Sequence, residues 1–67
     1  MDFGCVWPAL RTGRKVRLKG WRGYWAWENG TVVMHCADGS VIDIRETDDI
    51  SYTLSNIAMH NWEIVDE

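Results

Sequence analysis

Proline occurs once and cysteine twice in these 67 residues, and no apolar run approaches the roughly 20 residues that cross a bilayer. A membrane-embedded chain is excluded. Cys5 and Cys36 do not make the spaced framework of a disulfide-stapled secreted domain, and the N-terminus lacks the basic, apolar and small-residue pattern of a signal peptide. The expectation is a cytosolic protein with reduced thiols. Histidine is also scarce. His35 and His60 complete, with the two cysteines, a nominal set of four metal ligands, but paired zinc ligands usually stand about two to four residues apart. His35 and Cys36 are adjacent and on a strand would face opposite sides. A buried cysteine and surface histidines are expected instead, with no metal and no cofactor.

The residues of catalysis are missing as well. Ser40, Ser51 and Ser55 lie in no motif that would bring a histidine beside them, and the glycines match neither a Walker loop nor a dinucleotide fingerprint. The chain reads as a binding module and not as an enzyme. It is also short for its task, because a domain of this size buries only about 60% of the surface its unfolded chain exposes. Of the usual remedies, disulfides, metal and oligomerisation, only oligomerisation fits the residues present.

What the sequence has in excess is tryptophan, with five, and an uneven distribution of charge. Six of the seven basic residues fall before residue 23 and nine of the ten acidic residues from Glu28 onward, for a net charge of -3. That asymmetry fits pairing between the two halves, packing between copies, or a local anion site on an acidic protein. Duplex binding is not expected, since general nucleic-acid binders are more often basic overall.

The pattern along the chain is that of a single α+β domain. Asp2 can cap a short N-terminal helix within residues 3–12, with Phe3, Val6 and Leu10 at helical spacing and Gly13 to end it. Pro8 requires that helix either to start nearer Trp7 or to kink. Residues 15–19 alternate, with Val16 and Leu18 on one side, as in a half-buried strand. Asn29 and Gly30 join residues 24–28 to 31–36 in a hairpin that places Trp25 and Trp27 on one side, and Asp38 with Gly39 leads into a third strand of that meander over 41–44. A short helix capped by Ser51 or Thr53 carries Leu54, Ile57 and Ala58, and a last strand contains Trp62, Ile64 and Val65.

Gly20 and Gly23 frame Trp21 and Arg22 in a turn whose side chains are displayed, with Lys19 beside it. A flat ring among cations suits a planar anionic ligand such as a nucleotide, and packing is the competing role for Trp21. The other four tryptophans, Trp25 and Trp27 as a pair above all, read as core or subunit interface.

The run Asp2, Phe3, Gly4, then residues 9–17 and the segment Lys19, Gly20, Trp21, Arg22, Gly23, resembles the opening of the second Thoeris anti-defence family of phage and prophage proteins. Ala37, Asp38, Gly39, the segment 47–54 and the closing Asn61, Trp62, Glu63, Ile64, Val65 are similar to that family's later blocks. The resemblance runs nearly end to end. It implies a non-catalytic sponge in the bacterial host cytoplasm, a homo-oligomer (tetramer or dimer) that sequesters a cyclic nucleotide signal of the glycocyclic ADP-ribose type. Trp21 would stack on the base, with Lys19, Arg22 and Gly23 beside it, and Thr53, Asn56 and Asn61 would help line an inter-subunit pocket. Many relatives carry a longer insertion after the tryptophan-glycine turn and an aspartate in place of Asn61. The alternative reading is a protein-protein inhibitor, such as an anti-CRISPR-like module, using the acidic stretch 46–49 as a nucleic-acid mimic.

Overall fold

The computed structural model describes residues 1–65 and shows an α+β domain with two short helices on a five-stranded antiparallel sheet. Helix α1 spans Phe3–Arg11 with Pro8 inside it, so it does not wait for Trp7 to begin. Asp2 stands at its N-cap but makes no side-chain cap bond; its Oδ1 lies 2.6 Å from His60 Nδ1. The C-terminus is closed by a Schellman arrangement. Gly13 takes φ 103, its N–H donates to the Leu10 carbonyl, and the Arg14 N–H donates to the Ala9 carbonyl.

The strands are β1 (Lys15–Leu18), β2 (Tyr24–Glu28), β3 (Thr31–His35), β4 (Val41–Asp43) and β5 (Trp62–Val65), in the order β4-β3-β2-β1-β5. Four consecutive strands thus form a meander, and the last returns to the free edge of β1. At the β2–β3 tip Asn29 has φ 55 and Gly30 φ 77, the two left-handed residues of a type I′ turn, whose twist matches that of the paired strands. Register sets the faces: Val16 opposes Trp25 and Ile64, and Leu18 opposes Trp62. Val6, Leu10, Val16, Leu18, Trp25, Val32 and Trp62 make the core. Each fully buried aliphatic side chain among them contributes roughly 1.5–3 kcal/mol.

On the other face, Arg17 Nε donates to its cross-strand partner Glu63 at 2.7 Å. The Tyr24 and His35 rings stack at 4.5 Å, and the Lys15 ammonium sits 4.5 Å above the Tyr24 ring. His35 Nε2 lies 2.5 Å from Glu28 Oε2. Basic and acidic halves of the chain therefore meet here by intrachain pairing. Both cysteines are exposed, contrary to the expectation of a buried one. Cys5 turns outward from α1 while Val6 turns in, and Cys36 lies just beyond the end of β3. Among the described residues, no three His, Cys, Asp or Glu side chains gather as a metal set, and no helix is long and apolar enough to cross a membrane.

Helix α2 (Ile50–Ile57) departs most from expectation. Asp49, and not Ser51 or Thr53, caps it, accepting the Tyr52 N–H at 2.9 Å. The side turned inward carries Thr53 and Asn56, both buried, whereas Ile50 and Leu54 are 64% and 59% exposed and Ala58 is exposed too. Of the expected apolar stripe only Ile57 packs against the core. The stripe is rotated away from the sheet, and the helix is tied to the core by a polar contact: buried Trp62 Nε1–H donates to the Asn56 carbonyl at 3.0 Å.

Candidate functional site

Gly20 and Gly23 close the loop between β1 and β2 for different reasons. Gly20 takes φ 91, a conformation that side chains disfavour. At Gly23 the constraint is space, since a Cβ there would sit 2.2 Å from the His35 carbonyl oxygen. Only a glycine lets the loop lie against residues 35–37. Trp21, carried by that loop, is half-buried: its N–H donates to the Leu18 carbonyl, its ring meets Trp62 edge-to-face at 5.6 Å, and Trp25 lies tilted at 6.1 Å. Arg17 Nη1 donates to its carbonyl at 3.3 Å. The ring is held rather than freely displayed; Arg22 remains exposed.

Between this loop, the end of β3 and α2 lies a cavity of about 390 Å³, within the range of small-molecule sites, about 300–1,000 Å³. Trp21, Arg22 and Gly23 line one side, Met34 and Ala37 another, and Asn56 with Tyr52 the helix side. Four of the seven residues expected at a ligand site thus converge here: Trp21, Arg22, Gly23 and Asn56. The other three do not line it. Lys19 is exposed beside the loop, its N–H donating to the Asn61 carbonyl. Thr53 is buried, with its hydroxyl donating to the Asp49 carbonyl. Asn61 keeps its side-chain oxygen buried without a hydrogen-bond partner among the described residues.

Residues that sequence reasoning missed are Tyr52, Met34 and Ala37. Only the β2–β3 register and the rotation of α2 bring them in, and no local pattern encodes either. Among the described residues, Arg22 is the only lysine or arginine on the lining. The cavity also touches His35 and Cys36; the Cys36 thiol points to the Met34 carbonyl at 3.9 Å, and His35 Nε2 lies against Glu28 Oε2.

A second cavity, of about 570 Å³, lies beyond Trp25 and is walled by Phe3, Trp7, Trp27, Ile44 and Ile57. Arg11 lies over the Trp7 and Trp27 rings, 5.5 and 4.9 Å from their centroids. Helix α2 stands between the two cavities, giving Tyr52 and Asn56 to the first and Ile57 to the second. Neither known protein-family models nor curated proteins provide a match to the chain.

Proposed function

We propose that this protein binds and sequesters a cyclic nucleotide immune signal, of the glycocyclic ADP-ribose type, without cleaving it, as a phage-derived anti-defence protein acting in the bacterial host cytoplasm. The observation that carries this reading is the convergence of Trp21, Arg22 and Asn56 on one cavity of nucleotide-compatible size. Trp21 offers a ring already fixed by Trp62 and Trp25, so little is lost in ordering it when a base stacks there. Arg22 offers a guanidinium for a phosphate and Asn56 an amide for a sugar or base edge. Retention without turnover is supported by the Cys36 thiol, which is directed to the Met34 carbonyl, since a sponge needs tight binding and no activated nucleophile.

A homo-oligomer accompanies this reading. Ile50 and Leu54 leave an apolar strip of α2 in water, and a second copy covering it would supply burial that so small a domain lacks. Calorimetry with glycocyclic ADP-ribose isomers tests the proposal. Wild type binds and Trp21→Ala does not, and mass spectrometry of heat-released ligand recovers it intact. Equal binding by both proteins, or recovery of a cleaved product, defeats it.

A further inference from the structure

We propose that Tyr52 is the second jaw of an aromatic clamp, so that the planar heteroaromatic base of the ligand is held between the Trp21 ring on the loop wall and the Tyr52 ring on the helix wall. The inference rests on the sequestration reading above and adds a residue and a mode of recognition to it.

Tyr52 is 59% exposed although it lines the cavity, and among the described residues its ring stacks on no other aromatic ring. Packing gives no reason for a large aromatic side chain there. Its backbone, in contrast, is fixed: the N–H is bound by Asp49 and the carbonyl accepts the Ser55 hydroxyl at 2.8 Å. Asn56, one turn later on the same face of α2, lines the same cavity, so the helix aims both side chains at it.

The two walls share one buried residue. Trp62, fully buried, touches the Trp21 ring edge-to-face and binds α2 through the Asn56 carbonyl. Loop and helix hang from the same post, and the gap exists before any ligand arrives. Two aromatic side chains on the lining with the guanidinium of Arg22 favour a flat π-system bearing a phosphate over a sugar or an aliphatic acid, because stacking reads a planar face and tolerates differences in the base.

The test is calorimetric titration of glycocyclic ADP-ribose into wild type, Trp21→Ala, Tyr52→Ala and Tyr52→Phe, with a thermal melt of each. Tyr52→Ala weakens binding roughly 5- to 150-fold, the range of base-aromatic stacking losses on alanine substitution, and Tyr52→Phe binds like wild type. Binding by Tyr52→Ala equal to wild type, with Trp21→Ala inactive, removes the clamp and leaves sequestration standing. An equal loss in Tyr52→Phe assigns the effect to the hydroxyl and overturns stacking. Absence of binding by wild type overturns the sequestration reading, and the clamp with it. Should Tyr52→Ala melt early, Tyr52→Leu, which keeps apolar bulk without a π-face, is read in its place.

Discussion

Alanine at Gly23 is the smallest change that tests how the cavity is built. The added methyl group would lie 2.2 Å from the His35 carbonyl oxygen and 3.2 Å from the Ala37 nitrogen, and both obstacles are backbone. Carbon and oxygen ordinarily approach to about 3.3–3.6 Å, so the loop and the end of β3 must separate by roughly 1 Å. That movement strains the Tyr24–His35 pair, the next rung of the β2–β3 ladder. Overpacking of this kind costs about 1–3 kcal/mol, and the unyielding neighbours place Gly23→Ala at the upper end. A domain of this length has roughly 3–10 kcal/mol of stability in all. At about 4–8 °C per kcal/mol, the expected fall in Tm is about 10–20 °C. Gly4→Ala is the internal control. Gly4 lies inside α1 with nothing within 4 Å of its would-be Cβ, so alanine there stabilises by about 0.5–1 kcal/mol. The assay is paired thermal and urea unfolding of the two variants. If Gly23→Ala melts with wild type, or the two variants shift alike, close approach is not the reason for Gly23 and the account of the cavity wall is wrong.

Trp62→Phe removes the indole bond to the Asn56 carbonyl and part of the buried ring cluster, and should destabilise by about 2–4 kcal/mol in urea unfolding. It should also weaken ligand binding although Trp62 lines neither cavity. Asp43 is held down to about 2 by hydrogen bonds from the Arg45 side chain and backbone. Because its folded pKa lies below the unfolded value of about 3.9, its stabilising contribution is present above about pH 4 and is lost as pH falls toward about 2. A carboxyl-carbon NMR titration should find that low midpoint, and Arg45→Gln should move it up toward the ordinary range. Leu54→Lys places a charge in the exposed strip of α2; on the proposed homo-oligomer, sedimentation should show a smaller species than wild type with the fold intact, and equal sedimentation of the two would overturn association through this strip.

Much of the sheet was legible because its signals are local. The alternation of Val16 and Leu18 follows from the two-residue period of a strand, and Asn29-Gly30 fixes a two-residue hairpin through backbone conformation alone. Strand ends differed by a residue or so, as at Ile44, which begins a single 3-10 turn instead of extending β4. The α2 cap was ambiguous because Asp49, Ser51 and Thr53 are all competent caps within five positions, and tertiary position selects among them. Its orientation was not legible at all: hydrophobic spacing placed Leu54 inward, but Thr53 and Asn56 are the residues buried there, and the Trp62 bond to the Asn56 carbonyl is a tertiary contact that no local spacing encodes. The site divides the same way. The glycine-framed turn drew attention to Trp21 and Arg22, while Tyr52 and the end of β3 depended on that rotation and on strand register.

The contact of Trp21, Trp25 and Trp62 also has an optical side. Three indoles with centroids 5.0 to 6.1 Å apart and planes inclined by 47° to 76° hold their transition dipoles close and non-parallel. Chromophores so placed can couple, and the expected sign of it is an exciton couplet in the far-ultraviolet circular dichroism of the folded protein that vanishes when the rings separate. A base stacked on Trp21, as proposed above, would perturb all three, and the couplet would then report occupancy of the cavity without a label.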